Sequence, residues 1–109
     1  MDERYINEIL AYTLPKLRSE YGGFTFPQSF VSAMLVKVID RYREKLTKNG
    51  INPALYGLPA PDIVKYICGY HYAFTCHMSD EKRIATSNDI GYRESLAASV
   101  TESLSLIHI

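Results

Sequence analysis

The chain has 109 residues, enough for one domain with a modest core and too few for two. Apolar residues make up 47% and charged residues 22%, which excludes the low-hydrophobicity, high-charge composition of disordered proteins. Twelve Lys and Arg balance twelve Asp and Glu, so the charge does not support a nucleic-acid binder.

The first predicted element is an amphipathic helix over residues 2–21. One face of its wheel carries Ile6, Ile9, Leu10, Thr13, Leu14, Leu17 and Tyr21. Pro15 removes a backbone donor inside the pattern, so either the helix kinks near 11–14 or two short helices meet there. Gly22 and Gly23 end the element. Because charges interrupt this segment, we expect neither a signal peptide nor a membrane anchor, and we expect a cytoplasmic location.

A second helix is predicted to run from the FTFPQSF segment to Lys48. Thr25 and Gln28 have the spacing of a capping box, and Pro27 suits a first turn. Half of the wheel is apolar: Phe30, Val31, Met34, Leu35, Val38, Ile39, Tyr42 and Leu46. Asn49-Gly50 ends the helix, and three prolines in 51–61 predict a connector with one short turn at 53–56.

The rest of the chain predicts a third helix over 61–78 and two further helical segments. The expected core stripe of the third helix is Ile63, Ile67, Tyr70, Phe74 and Met78. Ser79 is a predicted cap for a short helix to about residue 85, and the TSND run, 86–89, caps a segment from about Ile90. We therefore predict an all-α fold, a compact single-domain array of about four helices in which 27–48 packs against 61–78.

The segment CGYHYAFTCH concentrates the groups that bind metals or attack substrates: Cys68, His71, Cys76 and His77. On a helix these four side chains point in several directions, and no second group of ligands accompanies them, so we expect no metal and no cofactor. Cys68 and His71 can touch at i, i+3, but a cysteine in mid-helix lacks the electropositive setting that activates a thiolate, so we expect no catalytic residue. The cysteines are predicted to be free thiols and His71 a partly buried histidine hydrogen-bonded to a neighbouring helix.

The last six residues, 104–109, match the in-frame translation of a common transposon adapter used in sequencing libraries. The alternative is an ordinary apolar helix end. On the adapter interpretation the helical domain is 1–103, the natural chain continues differently after Ser103, and His108 has no chemical role.

Residues 58–74, LPAPDIVKYICGYHYAF, resemble the proline-led third helix of small helical head-to-tail connector proteins of tailed phages. That family usually has a more acidic, alanine-rich first half, from which this chain departs. Because such proteins act by ring assembly, the resemblance implies a structural role and transfers no site residues.

Our leading hypothesis is a non-catalytic protein-interaction or assembly protein, with a protein partner or a homo-oligomer and with no membrane association. Nine tyrosines without tryptophan are compatible with an interface, although tyrosine is also common at core edges. The alternative is a small DNA-associated regulator, for which Lys37, Arg41, Lys45 and Lys48 form the candidate basic face. An enzyme that uses Cys68, His71 or Cys76 in a pocket is the third possibility.

Overall fold

Five α-helices and one 3-10 turn make up the described part of the chain, residues 3–55 and 60–104 of a computed structural model. They are α1 (Glu3–Glu20), α2 (Gln28–Lys48), the 3-10 turn (Pro53–Leu55), α3 (Ala60–Thr75), α4 (Asp80–Ser87) and α5 (Ile90–Ser103). These residues contain no strand, which confirms the predicted all-α class. The five helices are one more than the predicted array of about four.

Helix α1 runs through Pro15 without a break, so the two-helix alternative is wrong. Its buried positions are Ile6, Leu10, Thr13 and Leu17. The helix ends as predicted, because Gly22 and Gly23 adopt φ values of 65° and 91° that favour glycine. The Gly23 amide donates to the Arg18 carbonyl at 2.8 Å, which closes the last turn.

Helix α2 begins at Gln28, directly after Pro27, and has no side-chain cap. The predicted capping box is therefore wrong, and the side-chain Nε2 of Gln28 instead donates to Asn7 Oδ1 of α1 at 3.4 Å. The predicted end is confirmed: Gly50 has a φ of 73°, and the Ile51 amide donates to the Leu46 carbonyl at 2.9 Å. Helix α2 packs against α1, α3 and α5, as expected for its eight buried side chains.

Helix α3 is rotated about its axis relative to the prediction and ends at Thr75 rather than near residue 78. Its buried face consists of Ala60, Ile63, Val64, Ile67, Cys68, His71 and Thr75. Tyr70 and Met78 are only partly buried and Phe74 is exposed, so the C-terminal part of the predicted core stripe is wrong. The reason is that α1, α2 and α5 all pack against α3, which moves the centre of the buried arc towards Cys68 and His71.

Both helices after α3 begin with the predicted caps. Ser79 Oγ accepts from the Lys82 amide at 3.2 Å, and Asp89 Oδ2 accepts from the Tyr92 amide at 2.8 Å. Helix α4 packs against α5, and α5 packs against α2 and α3. Its buried side chains are Leu96, Ala97, Val100 and Thr101.

The residue that follows α5 also lies in the core. Leu104, the first residue of the expected tail, is buried, and its carbonyl accepts from Lys45 Nζ at 3.0 Å. Residues 105–109, including His108, lie outside the described residues. Within 3–55 and 60–104, no helix combines the length and the apolar content that crossing a membrane requires. The cytoplasmic location stays a prediction.

Candidate functional site

The structure separates the four candidate metal or catalytic side chains. Cys68 and His71 lie in the core, whereas Cys76 and His77 follow the end of α3 and are exposed. In the described ranges, no three His, Cys, Asp or Glu side chains are grouped so that they could hold a metal ion. Burial raises the pKa of the Cys68 thiol to about 12, so this sulfur stays protonated at neutral pH and is a poor nucleophile.

His71 is surrounded by aromatic rings, and its side chain is 1% exposed. The nearest ring centroids are those of Phe30 at 4.6 Å, Tyr92 at 5.8 Å and Phe24 at 6.1 Å. Its Nδ1 lies 2.7 Å from the Tyr92 hydroxyl, so the predicted hydrogen bond to a neighbouring helix is confirmed. The burial is deeper than predicted, because the 21–27 segment adds Phe24 and Phe26 to the walls.

The protonation state of His71 follows from its surroundings. Burial and, secondarily, the Arg83 charge lower the pKa of His71 to about 4, so the imidazole is neutral at pH 7. Burial raises the pKa of Tyr92 to about 12, so its hydroxyl keeps its proton. A phenol hydroxyl is a stronger hydrogen-bond donor than a neutral imidazole N–H, and the Tyr92 hydroxyl has no other partner in the described residues, so we assign it as the donor to Nδ1 of His71. On this assignment the imidazole proton resides on Nε2, which is buried and has no hydrogen-bond partner in the described part of the chain.

A cleft of about 610 Å³ opens beside His71. It lies where the amino end of α2 meets α3, α4 and α5, and its walls are Gly23, Thr25, Pro27, Ser29, Phe30, His71, Asp80, Arg83, Ile84, Ser87, Asn88 and Arg93. We call this the His71 cleft. The first hydrogen bond of α2 runs from the Val31 amide to the Pro27 carbonyl, so in the described chain the amides of Gln28, Ser29 and Phe30 have no acceptor.

Two arginines contribute positive charge to the cleft, and each also donates a hydrogen bond to the last carbonyl of a helix. Arg83 donates to the carbonyls of Thr75, Cys76 and Met78 at 3.2–3.4 Å and pairs with Asp80 at 3.1 Å. These carbonyls lie at the end of α3 and in the turn that follows it, and the last turn of α3 contains no basic residue of its own. Arg93 donates through Nε to the Ser87 carbonyl at 2.7 Å, and this is the one hydrogen bond of its side chain within 3–55 and 60–104.

Three of the four residues in the proposed DNA-binding row on α2 contact α5 or the residue after it and are only partly exposed. Lys37 and Arg41 both contact the carboxylate of Glu94 on α5. Lys45 Nζ donates to the carbonyls of Thr101 and Leu104 at 3.3 and 3.0 Å. Of the four candidate residues, Lys48 is the fully exposed one. Three of the four cations therefore connect α2 to α5.

An exposed row of aromatic side chains follows α3 at i, i+4 and i+8: Tyr66, Tyr70 and Phe74, which we call the aromatic row. Tyr66 and Phe74 are 40% and 43% exposed. The Tyr70 and Phe74 rings stack with centroids 6.0 Å apart, and the Tyr70 hydroxyl lies 2.5 Å from Ser103 Oγ of α5. The row therefore lies along the edge that α3 shares with α5.

Sequence reasoning missed Glu94, Arg83, Arg93 and the aromatic residues of the 21–27 segment. The FTF alternation in that segment was a usable signal, because Phe26 is buried while Thr25 is exposed. No local pattern identified the partners of the three charged residues. Comparisons with protein-family models, with curated proteins and with solved structures gave no match.

Proposed function

We propose that this protein is a non-catalytic assembly protein that pairs with a second copy of itself through the aromatic row. The observation that carries this proposal is the exposure of Tyr66 and Phe74 on one side of α3, next to the partly buried Tyr70. Aromatic side chains are enriched at protein interfaces, since they bury large areas at a low cost in conformational entropy. Tyrosine also keeps its hydroxyl hydrated at the rim of such a contact.

The net charge of the chain supports a second copy of the protein as the partner that binds the aromatic row. Twelve cationic and twelve anionic side chains give a formal net charge of zero, so two copies approach without net repulsion. On α3 the exposed positions next to the row include both an acid, Asp62, and a base, Lys65. A two-fold axis across α3 would place unlike charges from the two copies near one another.

The non-catalytic part of the proposal rests on the thiols. Cys68 is buried in its protonated form, and Cys76 is exposed in the turn that follows the end of α3 at Thr75. In the described residues, no hydrogen bond joins either thiol to a base. We further propose a structural role in a phage or other mobile element, which is what the resemblance of residues 58–74 to connector proteins implies.

A DNA-binding role has less support, because Lys37, Arg41 and Lys45 are already engaged with α5. A phosphate backbone would have to compete with Glu94 for two of these cations. The intact protein offers only Lys48 from this row as an exposed charge.

Self-association is tested by light scattering and sedimentation over a range of protein concentrations. We expect the wild-type mass to rise towards that of a dimer or larger ring, and Tyr66→Glu to remain monomeric. The matched control is Tyr12→Glu, because Tyr12 is also an exposed helical tyrosine but lies on α1. A wild-type protein that stays monomeric at every concentration would contradict the proposal, as would equal dissociation of both variants.

A further inference from the structure

The His71 cleft contains hydrogen-bond donors that the protein does not use. On the tautomer assigned above, the buried Nε2 of His71 is a donor that has no acceptor in the described residues. The amides of Ser29 and Phe30, at the amino end of the 21-residue helix α2, also lack acceptors in the described chain. Because an unsatisfied buried donor is costly, a site that combines one such donor with two helix-end amides is suited to a ligand that supplies acceptors.

The charges around the cleft determine the sign of the ligand. Arg83 and Arg93 line it together with a single acid, Asp80, and this acid is paired with Arg83. The amino end of α2 adds the partial positive charge of the helix dipole. The site is therefore net positive in a protein whose overall formal charge is zero.

The shape and the remaining walls indicate that the ligand is larger than a bare ion. About 610 Å³ is the volume of a small-molecule site, and Pro27, Phe30 and Ile84 give it apolar surfaces. The Arg93 guanidinium lies 5.4 Å from the centre of the Phe30 ring, so positive charge and aromatic surface adjoin. This combination suits an oxyanion that is attached to an apolar body.

We infer that the His71 cleft binds a small organic oxyanion, with a carboxylate or phosphate group at the α2 amides and His71 Nε2, and with its apolar part against Phe30 and Ile84. Arg93 supplies a further donor, since only its Nε has a partner in the described residues. Arg83 contributes its charge, because its nitrogens already donate to carbonyls and to Asp80. This inference goes beyond assembly through the aromatic row and does not depend on it.

Calorimetry and NMR titration of the full chain test the inference with defined probes. Phenyl phosphate and benzoate represent the two oxyanions, benzyl alcohol is the neutral control, and inorganic phosphate is the ion without an apolar body. We expect phenyl phosphate or benzoate to bind and to shift the Nε2 resonance of His71 and the amides of Ser29 and Phe30. Binding of benzyl alcohol with equal affinity, or saturation without shifts at these three groups, would refute the site.

A matched pair of variants locates the binding. Ile84→Glu places a carboxylate at an exposed position of the cleft wall, whereas Ile90→Glu adds the same charge at an exposed position outside it. Electrostatic repulsion should weaken oxyanion binding about tenfold in Ile84→Glu and less than about twofold in Ile90→Glu. Equal weakening in both variants would show a diffuse charge effect and overturn the assignment. Equal affinity for inorganic phosphate and phenyl phosphate would refute the claim that the cleft binds an apolar part of the ligand.

Discussion

The hydroxyl of Tyr92 on α5 lies 2.7 Å from Nδ1 of His71 on α3, and this hydrogen bond joins two helices inside the aromatic part of the core. With the Tyr92 hydroxyl assigned as the donor, the proton of the neutral imidazole lies on Nε2. The contact therefore links the packing of the fold to the chemistry of the His71 cleft.

The first prediction concerns this hydrogen bond. Tyr92→Phe removes the donor and leaves Nδ1 buried without a partner, so the free energy of unfolding should fall by about 1–3 kcal/mol. Urea denaturation followed by circular dichroism measures this loss. Tyr66→Phe, at an exposed position of α3, is the control and should leave the unfolding free energy unchanged.

The second prediction is a dependence of stability on pH. The pKa of His71 is lowered to about 4 in the folded protein from an ordinary value of 6.5, so the unfolded chain binds the extra proton between these limits. The contribution of neutral His71 to the free energy of unfolding is complete above pH 6.5. This contribution is lost as the pH falls towards 4, by at most about 1.4 kcal/mol per pH unit.

Urea titrations between pH 7 and pH 4.5 measure this slope. His71→Gln should reduce it and His77→Gln should retain it, because His77 is exposed. An imidazole resonance of His71 that titrates near pH 6.5 in the folded protein would contradict the prediction.

The third prediction concerns Arg83 as the residue that closes α3. Because its guanidinium donates to carbonyls at the end of α3 and lies 4.3 Å from the Phe24 ring centre, Arg83→Gln should cost about 1.5–3 kcal/mol of unfolding free energy. Arg43→Gln changes the same charge at an exposed position of α2 and is the control. Equal stability of the two variants would show that the Arg83 contacts contribute nothing.

The fourth prediction concerns Glu94, which contacts both Lys37 and Arg41. These side chains are partly exposed, so Glu94→Gln should lower stability by only about 0.5–1 kcal/mol in low salt. The difference from wild type should shrink in concentrated salt because the charges are screened.

If the freed cations can then bind phosphate backbones, Glu94→Gln should show DNA retention at low salt that the wild type lacks. Glu44→Gln, at an exposed position of α2, is the control for the change in net charge.

The fifth prediction distinguishes the two thiols. Cys76 is exposed, whereas Cys68 is buried with its pKa raised to about 12. Ellman's reagent should therefore titrate one thiol in the native protein and both in denaturant. Cys76→Ser should abolish the native reaction, whereas rapid modification of Cys68 in the folded variant would contradict its burial.

Local sequence signals predicted the ends of most helices because those ends depend on nearby residues. Ser79, Asp89 and Gly50 act within a few positions of themselves, through a hydrogen bond to the backbone or a positive φ. The Thr25–Gln28 capping box failed for a tertiary reason: the following helix starts after Pro27, and Gln28 reaches Asn7 on α1.

The sequence by itself determined the helical class, most helix ends and the buried face of α2, since periodicity and caps are local properties. Only the tertiary structure decided which side of α3 is buried, because Cys68 and His71 replace Phe74 and Met78 in the core once three neighbours pack around that helix. The pairing of Arg41 with Glu94 spans 53 positions, and the His71 cleft draws on four helices and a loop. Such relationships depend on how helices approach one another, and no spacing along the chain encodes that geometry.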